Sequence, residues 1–183
     1  MASPFWTVPN QITFLRLALL PVFLICLFYR RFEWALALLA VAGLSDGLDG
    51  LLARRLNQKS ELGMLLDPLA DKLLLSSAFV VLALKGVMEW WLTILVLARD
   101  VIILATAVVI VLAAGQRTFP PSLYGKFTTF VQILLLFATL ASAAYPQAGL
   151  APAVHGLVYV VAAATIVSGT HYSLTIARRL SAH

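Results

Sequence analysis

Residues 46–72 read DGLDGLLARRLNQKSELGMLLDPLADK. Four aspartates, Asp46, Asp49, Asp67 and Asp71, stand in this run, half of the eight acidic residues in the chain. The flanking stretches, 35–44 and 73–84, are almost wholly apolar. Asp46 and Asp49 are spaced i,i+3 and Asp67 and Asp71 i,i+4, so each pair lies on one face of a helix. The connection between them, 55–63, is short and hydrophilic. The reading is two antiparallel neighbouring helices whose acidic faces meet.

Working outward, the rest of the chain says what surrounds those helices. Of 183 residues, 62% are hydrophobic and 11% charged, and the mean hydropathy is +0.96. Soluble domains run about 45–50% apolar and about 25% charged. A water-soluble core of this size cannot bury so much apolar surface, so the expected solvent is lipid. Backbone groups in lipid must be satisfied internally, by helices or a closed barrel. Long Leu-, Ala- and Val-rich runs without period-two alternation favour helices.

A spanning helix takes about 20 mostly apolar residues. Six segments qualify: 12–29, 34–52, 65–84, 90–114, 127–145 and 151–176. The expected fold is an all-α integral membrane protein of six transmembrane helices, one domain over 1–183. Residues 1–10, with Phe5, Trp6 and two prolines, read as a short amphipathic segment at the interface. That stretch carries no basic residue and no A-x-A site follows the first apolar run, so the run reads as a mature helix.

An even number of spans puts both termini on one side. Arg54, Arg55, Lys59, Arg117, Lys126, Arg178 and Arg179 fall on that side, and Arg30, Arg31 and Lys85 on the other. The positive-inside rule then places both termini and the acidic loop in the cytoplasm. The net charge of +5 is loop charge of this kind and not a nucleic-acid footprint. The single cysteine, Cys26, excludes an intrachain disulfide.

An ionisable group in a spanning helix costs about 2.5–3.5 kcal/mol on insertion scales and marks function by default. Four carboxylates together repel unless divalent cations sit between them, and hard oxygen ligands suit Mg²⁺ or Mn²⁺. No Cys/His set exists for zinc. Gly43, Gly47, Gly50, Ala53 and Gly63 surround the acids, as expected where a ligand or a backbone approaches closely. Arg54, Lys59 and Lys72 bring cations near. Carboxylates, metal and cations at a membrane surface point to a substrate diphosphate, with one carboxylate free to act as base.

Other classes fit less well. A cation transporter would place its acids at the midplane of repeated, broken helices. A prenyltransferase would carry two distant Asp-rich motifs, whereas here 17 residues separate Asp49 from Asp67. A scaffold would need none of the four.

The run from Asp46 through Asp49, Gly50, Ala53, Arg54, Gly63 and Asp67 to Asp71 fills every fixed position of D-x2-DG-x2-AR-x8-G-x3-D-x3-D. The chain therefore resembles the CDP-alcohol phosphotransferase family, whose six-span architecture carries this motif across the second and third helices. The resemblance implies transfer of a phosphatidyl group from CDP-diacylglycerol to an alcohol, with release of CMP. It implies two divalent metals, Asp46, Asp49 and Asp67 as ligands, and Asp71 as a ligand of the second metal and the base. Gly50, Ala53 and Gly63 would leave room for the cytidine diphosphate, and Arg54 would lie near its phosphates. A homodimer in a bacterial inner membrane, without nucleic acid, is the corresponding expectation.

The flanks 9–16 and 66–72 resemble the branch that makes phosphatidylglycerophosphate or cardiolipin. Phosphatidylglycerophosphate synthases are expected to carry Arg-Glu where Arg99-Asp100 stands and a second lysine at Thr128. Both departures favour phosphatidylglycerol over glycerol 3-phosphate as acceptor. Arg99, Asp100 and Lys126 are the candidate acceptor-binding residues, with a structural network or a snorkelling lysine as the plainer readings. As neighbours on a helix, Arg99 and Asp100 diverge by about 100° and need not pair. Ser168, His171 and Tyr172 read as interhelical contacts, and Trp6, Trp90 and Trp91 as interface anchors.

Overall fold

The computed structural model describes residues 8–56, 61–114 and 123–180, and within them the side chains of 14–44, 70–105 and 123–172. All of its regular structure is helical. The elements are α1 (Val8–Phe28), α2 (Phe32–Leu56), α3 (Glu61–Leu84), α4 (Trp90–Ala114), α5 (Leu123–Ala144) and α6 (Ala151–Leu180), with a 3₁₀ turn at Pro146–Ala148. The α5 helix and the Ala151–Tyr172 part of α6 are long and apolar enough to cross a membrane, and Phe14–Phe28 and Phe32–Leu44 are shorter apolar stretches.

Every helix but α4 runs past its apolar segment at the acidic end. α1 starts at Val8 rather than at residue 12, α3 at Glu61, and α6 continues to Leu180. Apolar length is set by the surrounding medium, whereas helical hydrogen bonding continues through polar residues until a breaker stops it. Pro9 is tolerated in the first turn of α1, where its missing N–H has no intrahelical acceptor. Residues 8–10 of the expected amphipathic segment are thus helix, and residues 1–7 lie outside the described residues.

Three tight connections close one end of the bundle. After α1, Arg30 takes the left-handed conformation (φ 58°), with Arg30 N–H donating to Leu27 O and Arg31 N–H to Cys26 O. After α3, Gly86 does the same (φ 69°), with bonds to Ala83 O and, from Val87 N–H, to Leu82 O. Both are Schellman caps, in which two terminal carbonyls are satisfied by reversing the chain. Arg30 Nη2 donates to Lys85 O at 2.8 Å, and Lys85 Nζ sits 3.4 Å from the Phe28 ring centroid. The third connection runs through the Pro146–Ala148 turn to a left-handed Gly149.

The packed helix pairs are α1 with α2 and α3, α2 with α5, α5 with α6, α6 with α4, and α4 with α3. The six helices therefore close a ring in the order α1, α2, α5, α6, α4, α3, and α3 also touches α5 across the middle. Phe79, Leu82, Leu92, Leu135, Leu136 and Val161 fill the interior. Phe14, Ile25, Leu104, Phe130 and Ile166 point outward and are exposed.

In their described parts α2 and α3 both lean on α1 and on α5, and the acidic turns where their faces are expected to meet lie outside the described side chains. They face each other across a cavity of about 90 Å³ lined by Leu39, Ala42 and Gly43 from α2 and Asp71, Leu74 and Leu75 from α3. A short connection fixes only the ends that it joins.

Candidate active site

Asp46, Asp49, Gly50, Ala53 and Arg54 fall in the second half of α2, and Gly63 and Asp67 in the first turns of α3. Their side chains lie outside the described residues. Asp71, two turns into α3, is described, and its carboxylate is 45% exposed. Arg16 of α1, 5% exposed, holds it through Nη1 to Oδ1 at 2.5 Å. Both line the cavity between α2 and α3. Gly43, one turn before Asp46, borders the same space. A Cβ built there meets no atom within 4 Å, so Gly43 leaves room and does not accommodate another backbone.

Lys72 follows Asp71 but turns to α4, where its ammonium pairs with Asp100. The same carboxylate oxygen receives Arg99 Nη1 at 2.8 Å. Arg99 Nη2 donates to Ser168 Oγ of α6 at 2.9 Å. Adjacent residues on a helix do diverge, yet the long arginine side chain folds back, so the expectation that Arg99 and Asp100 need not pair is corrected. Arg99 is 5% exposed and Asp100 12%. A chain of polar contacts thus runs from α3 through α4 to α6. Ser168 is an interhelical contact as expected, and His171 stacks on Tyr124 with ring centroids 4.6 Å apart.

The third candidate acceptor residue stands apart. Lys126 is exposed near the start of α5. Thr128, two residues on, is fully buried, and its hydroxyl bonds Tyr124 O at 2.8 Å and Ala164 O of α6 at 3.1 Å. A threonine suits that helix–helix seam; a lysine would have to leave it. The residue that sequence reasoning left out of the site is Arg16. Its signal was a lone basic residue in the first apolar run, where a charge must have a partner.

Three buried or half-buried cations and two carboxylates therefore form two ionic groups about midway along the helices, Arg16–Asp71 and Lys72–Asp100–Arg99, below the aspartate-bearing turns of α2 and α3. Hard carboxylate oxygens bordering an open space are the donor chemistry of a divalent metal site taking a phosphorylated ligand. The chain belongs to the CDP-alcohol phosphatidyltransferase family, whose model matches residues 6–169. It is 39% identical over 125 residues to a putative cardiolipin synthase of Mycobacterium tuberculosis, a match covering 68% of this chain and 59% of that one. It is 38% identical over 135 residues to a probable phosphatidylglycerophosphate synthase of the same organism, covering 69% and 62%. A CMP-forming cardiolipin synthase of Homo sapiens is 35% identical over 163 residues, covering 78% and 53%. The chain thus spans just over half the length of these relatives.

Proposed function

We propose that residues 1–183 form a single six-span membrane domain that transfers phosphatidyl from CDP-diacylglycerol to phosphatidylglycerol, giving cardiolipin and CMP. The membrane reading is supported by the apolar helices, the outward apolar side chains and the family. Both termini and the acidic site would face the cytoplasm, where the loop cations gather, in a bacterial inner membrane. Two copies would associate as a homodimer.

The observation that carries the acceptor is the placement of Arg99. At 5% exposure, with Nη1 on Asp100, Nη2 on Ser168 and Nε enclosed without a partner among the described residues, its guanidinium is turned into the helix seam and away from a free phosphate. A neutral glycerol hydroxyl needs no such cation. Glycerol 3-phosphate is the second reading, favoured by exposed Lys126 and by the mycobacterial phosphatidylglycerophosphate synthase, which is almost as similar.

The donor set fits Mg²⁺ or Mn²⁺: four carboxylates without sulfur or imidazole, with the described member, Asp71, half exposed beside an open cavity. Asp46, Asp49, Asp67 and Asp71 would hold two such ions, which offset charge on the diphosphate. Gly50, Ala53 and Gly63 would leave space for the cytidine diphosphate, and Arg54 would sit by its phosphates. Asp71 takes the proton of the acceptor hydroxyl. The oxygen then bonds to the phosphorus that bears diacylglycerol, the bond from that phosphorus to CMP breaks, and CMP leaves. Arg16 Nη1 holds the same carboxylate at Oδ1.

The test supplies purified protein and Mg²⁺ with CDP-diacylglycerol plus either phosphatidylglycerol or glycerol 3-phosphate, and identifies the lipid by mass spectrometry. Cardiolipin is expected. Phosphatidylglycerophosphate alone would overturn the acceptor, and no CMP with either would overturn the transferase reading. EDTA should stop the reaction and Mg²⁺ or Mn²⁺ restore it.

A further inference from the structure

At the hairpin end of the bundle, away from the aspartates, a cavity of about 520 Å³ opens between the start of α4, the end of α5 and the start of α6. That volume lies within the range of small-molecule sites, about 300–1,000 Å³. Its polarity is graded. Glu89, Trp91, His155 and Tyr159 stand exposed at the mouth, and Ser142 lines the wall. Thr139, 3% exposed, borders the cavity, and its hydroxyl has no hydrogen-bond partner among the described residues. A buried hydroxyl left unbonded costs about 1–3 kcal/mol. A ligand carbonyl in this cavity would remove that cost.

The lining selects the ligand. It contains one carboxylate, one imidazole and three hydroxyls, those of Thr139, Ser142 and Tyr159, but no lysine or arginine. A purely anionic head would meet Glu89 without a compensating cation. An ammonium suits the Glu89 carboxylate and the ring pair Trp91–Tyr159, whose centroids lie 6.4 Å apart at a tilt of 33°. The first turns of α4 and α6 both border the space, through Trp91 and Ala151, and free N–H groups at helix starts favour a phosphate. Ammonium, phosphate and a deeper ester carbonyl together describe a zwitterionic phospholipid.

We infer that this cavity is a second lipid site, which holds the ammonium-bearing headgroup of a zwitterionic phospholipid, with Glu89 and the Trp91–Tyr159 pair at the ammonium and Thr139 at an ester carbonyl. It rests on the membrane reading proposed above but not on the transfer reaction.

The test is native mass spectrometry of the full chain in detergent with added phosphatidylethanolamine, against Glu89→Gln and Thr139→Val. Glu89 is exposed and Thr139→Val keeps its shape, so both variants should fold. Each should retain about tenfold less phosphatidylethanolamine than the parent while retaining phosphatidylglycerol unchanged. Thr139→Val should also raise the lipid-free Tm, because it removes an unbonded hydroxyl. Competition by free phosphoethanolamine would support the site with a soluble occupant; its failure to compete assigns the lipid. Unchanged phosphatidylethanolamine retention in both variants would overturn the inference, whatever the CMP-release assay shows. Variant-sensitive retention without CMP release would instead sink the transferase reading alone.

Discussion

Asp100→Leu tests the polar chain that joins α3, α4 and α6. The Asp100 carboxylate receives both Arg99 and Lys72, and it is 12% exposed. Its removal leaves Arg99, at 5% exposure, with Ser168 as its remaining hydrogen-bond partner among the described residues. Breaking a buried pair by deleting one partner costs about 3–5 kcal/mol, because a charge stays buried uncompensated. Lys72 is 43% exposed and can turn to water, so its share is small and the lower end applies, about 3 kcal/mol. For a chain of this length each kcal/mol moves Tm by about 2–4 °C, so a loss of about 6–12 °C is expected by thermal unfolding in detergent. The double variant Arg99→Met/Asp100→Leu removes the stranded charge and should recover more than half of the loss. A drop below about 2 °C in the single variant, or a double variant no more stable than the single, would refute the reasoning.

Asp71→Asn should abolish transfer while thermal unfolding stays within a few degrees of the parent; near-normal turnover would remove Asp71 from the base role. Arg16→Met should lower kcat about tenfold or more with KM for CDP-diacylglycerol little changed, since a misplaced catalytic group loses rate before affinity, and Arg16→Lys should restore part of it. Equal kcat in all three proteins would leave Arg16 without a positioning role. Lys126→Ala should raise the acceptor KM more than the donor KM if the exposed lysine meets the acceptor, and the opposite order would exclude it. Gly86→Ala forces a Cβ into the left-handed region and should cost about 1–2 kcal/mol, read as a lower Tm without change in kcat/KM.

How much of this was legible in the sequence depends on the range of the forces involved. Helix number and order were, because apolar runs of about 20 residues carry them locally. The helix ends at the acidic side were not, since Glu61 and the residues beyond position 176 continue a helix that hydropathy alone would stop. That Asp71 faces α2 was legible from its spacing, since it borders the cavity that Leu39, Ala42 and Gly43 of α2 also line. Its pairing with Arg16, 55 residues away, was not, because no local pattern encodes a contact between α1 and α3. How α2 and α3 sit away from their connection was not legible, because a short connection constrains only its two ends. The bulk of the ring, with α1 and α5 set against both helices, is decided by side-chain packing that no local pattern encodes. Thr128 is the converse case. A departure read as a missing lysine turns out to be a hydroxyl bound to an α6 carbonyl, so its meaning lies in the helix seam.

The seams also explain where the charges went. Three tight turns make α1–α2, α3–α4 and α5–α6 into hairpins, so the ring has three joints between hairpins: α1 to α3, α4 to α6, and α2 to α5. A buried arginine closes each of the first two, Arg16 on Asp71 and Arg99 on Ser168. The third has an apolar lining, with Leu39 and Ala42 on one side of the cavity and Ile133 and Phe137 on the other. Apolar contacts slide at little cost, whereas a bonded arginine fixes one register, because slipping strands a charge. The two fixed joints both involve the α3–α4 hairpin, which carries Asp67, Asp71, Lys72, Arg99 and Asp100. That hairpin is therefore held in register on both of its sides, by Arg16 through Asp71 and by Arg99 through Ser168.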